Sequence, residues 1–173
     1  MKISTSIKLL SAFVILLLFT NCILFLPNGF AQRGHVPDEL VGAWQTSSLS
    51  GIIYKDPSTG TYSDPSGTIV IYRFFADGRF EYSALMQQTM YNCTTKLFTY
   101  KTGKAVAEDG ALTLVPNDGK FTSQDNCNAR FNYEKAADLD RETYQWSIER
   151  DEYGIKVCLQ NSDVKGCAYK KEE

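Results

Sequence analysis

The sequence predicts an all-β domain, an antiparallel up-and-down meander that closes into a barrel of about eight strands. Three observations carry this. Short runs of Val, Ile, Thr, Tyr and Phe alternate with polar residues at a period of two, which suits strands with one buried face. Turn residues recur at near-even intervals between those runs, and no stretch sustains the 3.6-residue periodicity of a long helix. The 173 residues are 43% hydrophobic and 22% charged, the composition of one folded domain with its own core.

The amino terminus is an address. Met1 to Lys8 carries two lysines and no acid, and Leu9 to Leu26 is apolar apart from Ser11, Thr20, Asn21 and Cys22. Gly29-Phe30-Ala31 then puts small residues three before and one before the Ala31/Gln32 bond. Residues 1–31 read as a signal peptide and residues 32–173 as a single domain. A retained anchor competes, since about 18 residues just reach across roughly 30 Å of hydrocarbon. A lipidated Cys22 would need a small residue before it and polar residues after it, where Asn21 and Ile23-Leu24-Phe25-Leu26 stand. The formal charge is −2, and cleavage removes Lys2 and Lys8 with no acid, leaving −4.

Gln32 to Glu39 is a polar lead-in. Val41 to Trp44, continuing through Leu49 and Ile52 to Tyr54, reads as the first strand, with a break near Ser50-Gly51. Lys55 to Gly67 is dense in Asp, Pro, Ser, Thr and Gly and reads as a rim loop. Thr68 to Phe75 and Arg79 to Met90 form the clearest hairpin, turned by Ala76-Asp77-Gly78. In its second arm Phe80, Tyr82, Ala84, Met86 and Met90 share one face, and Glu81, Ser83, Gln87 and Thr89 the other. Thr94 to Lys101 alternates again, Gly103 turns the chain into Ala105-Val106-Ala107, and Glu108-Asp109-Gly110 leads into Ala111 to Val115, which Pro116 ends.

Asn117 to Arg141 is polar and reads as a long loop with a helical turn around Glu134 to Leu139. Thr143 to Arg150 sets Tyr144, Trp146, Ile148 and Arg150 on one face; turns at Glu152-Tyr153-Gly154 and Asn161-Ser162-Asp163 deliver Ile155 to Gln160 and Val164 to Tyr169. Such a meander closes on itself or stacks as two sheets. Sequential hairpins without long crossovers favour closure.

Removing residues 1–31 leaves Cys93, Cys127, Cys158 and Cys167 in a chain bound for an oxidising compartment, which points to two disulfides. Of three pairings, the short separation of Cys158 and Cys167 across a hairpin favours that pair, leaving Cys93 with Cys127. A four-thiolate zinc site would want Cys-x-x-Cys knuckles, and none is present.

Leu40-Val41-Gly42-Ala43-Trp44, a Gly-x-Trp opening the first strand, resembles the start of lipocalins and related calycin barrels. The segment Tyr72 to Tyr82 resembles the second hairpin of small bacterial lipocalin-like domains. The resemblance implies a lipocalin-like barrel in which Trp44 plugs the closed end under a stacked arginine, here Arg150, while a ligand enters the open end.

Tyr72, Phe80, Tyr82, Met86, Phe98, Tyr100, Tyr144 and Trp146 are the candidate ligand-binding residues, able to line an apolar calyx or to pack a filled core. The expected function is a secreted or periplasmic module that binds a small apolar molecule. The alternative is a protein-interaction or inhibitor module that acts through its long loops around a filled barrel. No cofactor, metal or nucleic-acid partner is expected, since Lys and Arg form no stripe. An enzyme is the weaker reading: His35 is the only histidine, no Gly-x-Ser-x-Gly elbow exists, and Glu81 and Glu149 sit opposite the aromatics. Tyr82, Tyr100 or Arg150 would have to supply any interior polar group. Asp118, Asp125 and Asn126 lack the spacing of an EF-hand. Asn92-Cys93-Thr94 matches an N-glycosylation acceptor, which matters only in a eukaryotic secretory pathway.

Overall fold

The computed structural model describes residues 36–172 apart from 50–54, 56, 59, 61–64 and 91. The expected signal peptide, the break near Ser50-Gly51 and residues 56, 59 and 61–64 of the expected rim loop at 55–67 lie outside the described residues. The described chain is all-β. Its strands are β1 (Gly42–Leu49), β2 (Gly67–Phe74), β3 (Arg79–Met90), β4 (Cys93–Glu108), β5 (Ala111–Asp125), β6 (Tyr133–Ala136), β7 (Glu142–Asp151), β8 (Gly154–Gln160) and β9 (Lys165–Lys170), with one 3₁₀ turn at Ala129–Phe131.

All pairings are antiparallel, and the sheet closes. The strands β1, β2, β3, β4, β5, β7, β8 and β9 form an eight-membered ring in which β9 returns to β1 through Trp44 opposite Lys170 and Gln45 opposite Tyr169. The turn chemistry sets the hairpins. Asp77 accepts the amide of Arg79 and its side-chain Nε at 2.7 Å, while Asp109 and Gly110 take φ of 50° and 77°, the left-handed pair of a two-residue turn.

The sequence reading fails at Gly103 and again from Pro116 to Arg141. Gly103 does not turn the chain: β4 runs through it to Glu108. Pro116 does not end β5, and the polar stretch from Asn117 is not a loop, because the strand continues to Asp125. One bulge explains both. Thr102 lies opposite Asp118 and Gly103 opposite Pro116, so Asn117 is the extra residue. A bulge is one of the few sheet positions that tolerate proline, which has no N–H to give the ladder. Beyond it, Lys120 to Ser123 pairs with β6, which replaces the expected helical turn; a Lys120–Glu134 ion pair at 2.8 Å bridges the two strands.

One end of the ring is packed solid. Trp44, Phe74, Phe80, Leu112 and Val157 are fully buried there, with Val36 and Leu40 from the segment that precedes β1. That segment is therefore a floor to the ring, where the sequence suggested only a polar lead-in. Val36 and Leu40 are its apolar residues at a spacing of four, and a turn from Pro37 to Leu40 brings them under the ring.

Gly103 is fixed by the bulge. A Cβ there would lie 2.1 Å from the Val115 carbonyl oxygen, 2.7 Å from Pro116 Cα and 2.8 Å from the Phe80 ring. Gly103→Ala is expected to destabilise the fold by about 1–3 kcal/mol, read as a lower urea midpoint at unchanged slope.

Candidate functional site

Above the floor the ring is hollow. A cavity of about 610 Å³ is walled by Tyr72 of β2, Phe80 and Tyr82 of β3, Lys101 of β4, Leu114 and Phe121 of β5, Glu142 and Tyr144 of β7, and Val157 and Leu159 of β8. Residues 135–138 stand at its edge. The wall is mostly apolar, but it carries one polar chain. The Tyr144 hydroxyl, which interacts with that of Tyr72, donates to Glu142 Oε2, while Glu142 Oε1 faces Lys101 Nζ at 3.5 Å. Tyr72 and Tyr82 pack ring on ring at 5.1 Å.

Burial is the main cause that pushes the Tyr72, Tyr82 and Tyr144 phenols above their ordinary value of 10.0. The Glu142 carboxylate adds to the rise in all three. The Lys101–Glu142 pair places two opposite charges against this wall, so a polar group has partners there without any net charge. The Trp146 Nε1 is buried with no hydrogen-bond partner among the described residues, a cost of about 1–3 kcal/mol.

Four of the eight expected lining residues meet in the cavity: Tyr72, Phe80, Tyr82 and Tyr144. Trp146 shares the Tyr144 face of β7 but packs against the core without lining the cavity. Met86 shares the Tyr82 face of β3, between Thr68 and Leu97, but does not line the cavity and is 52% exposed. Phe98 and Tyr100 are on the wrong face. Tyr82 pairs with Lys101, so even-numbered residues of β3 share a face with odd-numbered residues of β4. Alternation fixes which residues of one strand go together, but not the parity between strands. Phe98 and Tyr100 instead edge a shallow outer hollow with Asp118, Lys120 and Glu134.

Trp44 is fully buried and its Nε1 donates to the Leu40 carbonyl at 2.7 Å. The cation over its ring is Lys170 at 5.4 Å, and the expected partner Arg150 is exposed at the end of β7. Two strands separate β7 from β1, whereas β9 pairs with β1 directly. The disulfides are Cys93–Cys127, with Cα atoms 5.4 Å apart, and Cys158–Cys167 between directly opposed residues of β8 and β9. Glu81 and Glu149 face Arg73 at 3.6 Å and Lys156 at 3.4 Å, away from the cavity. The carboxylate of Asp125 is used by its own loop, accepting from Cys127, Asn128 and Thr95.

Sequence reasoning missed Lys101, Glu142 and Phe121. Lys101 ends an alternating run opposite Phe98 and Tyr100, Glu142 lies between the expected loop and the next strand, and Phe121 falls inside that loop; the bulge at Asn117 flips the parity of β5, turning Phe121 inward after Leu114. Past the ring this inner face continues as a lip. Met86 pairs with Leu97, Leu97 with Ser123 and Ser123 with Tyr133, so a row that is apolar except at the buried Ser123 crosses four strands, with Met90 on the same face of β3. Met90 and Tyr133 are 61% and 47% exposed.

Phenols held above 10.0 when folded and released to that value when unfolded contribute stability below pH 10 that is lost as pH rises further. Urea midpoints are therefore expected to fall as pH climbs above 10, and Tyr72→Phe is expected to flatten that fall.

A family model described as "Rot1: Chaperone for protein-folding within the ER, fungal" matches residues 40–170. Protein rot1 of Sclerotinia sclerotiorum is 34% identical over 101 residues, 53% of this chain and 38% of that protein. Protein rot1 of Neosartorya fischeri is 35% identical over 99 residues, covering 52% and 42%, and Protein ROT1 of Ajellomyces capsulatus is 26% identical over 125 residues, covering 67% and 45%. The chain thus spans less than half the length of these curated relatives. No solved structure matches.

These findings overturn the lipocalin resemblance, which rested on a three-residue Gly-x-Trp and a hairpin pattern that any closed antiparallel ring can use to seat a tryptophan at its floor. With it go the small apolar ligand and the inhibitor alternative, because the family is described by its work on folding proteins. A secreted or periplasmic location is corrected as well: a leader and paired cysteines specify an oxidising secretory compartment, which the endoplasmic reticulum also is. The match takes in the whole β ring from Gly42 to Lys170, and the chain belongs to the Rot1 family.

Proposed function

We propose that this chain is a chaperone of the endoplasmic reticulum that holds incompletely folded polypeptides, delivered there by residues 1–31 acting as a signal peptide. The observation that carries the reading is the family match over residues 40–170. The two disulfides suit an oxidising lumen.

The apolar lip supplies a surface for the task. Unfolded chains differ in sequence, so a surface that receives them must adapt, and flexible thioether side chains do so better than branched ones. Met86 and Met90 are exposed on β3, and Tyr133 is exposed on the same face with β4 and β5 between, a face that runs into the cavity wall at Phe121. Long side chains of a client have both a lip to lie on and an interior to enter.

The purified protein, oxidised and freed of its leader, is expected to suppress light scattering by an equimolar amount of a reduced, denatured secretory protein. Met86→Ser with Met90→Ser is expected to weaken that suppression several-fold while leaving the urea midpoint nearly unchanged, since both side chains are exposed. Unsuppressed scattering with the unaltered protein would remove the chaperone reading, and full suppression by the double variant would remove the lip from it.

A further inference from the structure

We propose that Asn92 accepts an N-linked glycan, and that it does so only before the Cys93–Cys127 disulfide closes. Asn92-Cys93-Thr94 is an acceptor sequence whose middle residue is itself one half of a disulfide. The proposal rests on the chain reaching the lumen of the endoplasmic reticulum, where both reactions occur.

In the folded chain the acceptor sequence is clamped. Thr94 is only 9% exposed, and its hydroxyl is shared with that of Thr89 at 3.1 Å. Its amide donates to Asn126 Oδ1 at 2.6 Å, its carbonyl accepts from the Asn126 amide at 3.2 Å, and the Asn92 carbonyl accepts from Asn126 Nδ2 at 3.2 Å. The disulfide fixes the residue between them to the same segment. A transferase that must turn this tripeptide and bind the threonine hydroxyl finds neither movable backbone nor an open hydroxyl.

The product, by contrast, fits. Asn92 is exposed between β3 and β4, at the far end of a hairpin. Cys127 follows Cys93 by 34 residues. At about 5–20 residues per second, the acceptor is made roughly 2–7 s before its clamp.

The chemistry is balanced on both branches. In the first, the Asn92 amide nitrogen attacks C1 of an oligosaccharide carried on a lipid pyrophosphate. The N–C1 bond forms, the C1–O bond breaks, the amide proton goes to a base and the lipid pyrophosphate leaves. In the second, the two thiols become a disulfide, passing two electrons and two protons to the disulfide of a lumenal oxidoreductase.

The test expresses the full chain in a eukaryotic secretory host with an Asn-Ser-Thr extension at its carboxyl end, whose own glycan reports arrival in the lumen. Removal of glycans by peptide N-glycosidase is then read as mobility shifts. The expected result is a second shift in a fraction of unaltered molecules, abolished by Asn92→Gln and raised towards all molecules by Cys127→Ser. Should Cys127→Ser fail to fold, Asn126→Ala and brief reductant during synthesis of the unaltered chain provide the same comparison with the cysteines in place. A glycan on the extension with none on Asn92 in any of these overturns the proposal while leaving the location standing. Equal Asn92 occupancy in all of them overturns the ordering, and no glycan on the extension overturns the location and the proposal together.

Discussion

Closure of the sheet at the seam between β1 and β9 is the constraint on which the rest of the structure hangs. The other neighbouring pairs in the ring carry five rungs or more, apart from the four between β5 and β7, but this one joins the first and last strands. Among the described residues it consists of Trp44 opposite Lys170, Gln45 opposite Tyr169, and a bond from the Lys171 amide to the Ala43 carbonyl. Trp44 reinforces it from inside, bonded to the Leu40 carbonyl and covered by the Lys170 ammonium. The seam cannot form until nearly all the chain exists, so the cost of closing a long loop is met only by this last contact.

Because the floor holds the ring together, the upper half need not be packed. The cavity follows from that division: Phe80, Leu112 and Val157 fill one end, and Tyr72, Tyr82 and Tyr144 line the other without filling it. The tyrosine–glutamate–lysine chain keeps its polar atoms paired, which is the condition for leaving such groups in an apolar wall. The interior and the methionine lip are one continuous inner face, closed on the ring side and open beyond it.

The fold was legible in the sequence where local chemistry decides it. Asp77-Gly78 and Asp109-Gly110 announce their hairpins, and the alternation from Phe80 to Ala84 names its inner residues correctly. The site was legible only in part, because inner and outer faces must be matched between strands. A single residue of register moved Phe98 and Tyr100 outside and brought Lys101 in. The largest loss came from Asn117, whose bulge has no sequence signature beyond a proline that ordinarily ends strands. It concealed half of β5, all of β6 and the inward turn of Phe121. The functional reading failed for a different reason: a tryptophan at the floor of a ring is a solution to a packing problem, and unrelated families arrive at it.

The bulge also gives β5 two successive partners on one edge, β7 below and β6 above. The ring is completed by the lower half alone, through Ala111 to Leu114, so the upper half and its short companion strand form an appendage that closure does not require. Sequence change in residues 119–140 is thereby insulated from the ladder that holds the molecule shut. Insertion or substitution there can reshape the rim with the architecture beneath it left as it was.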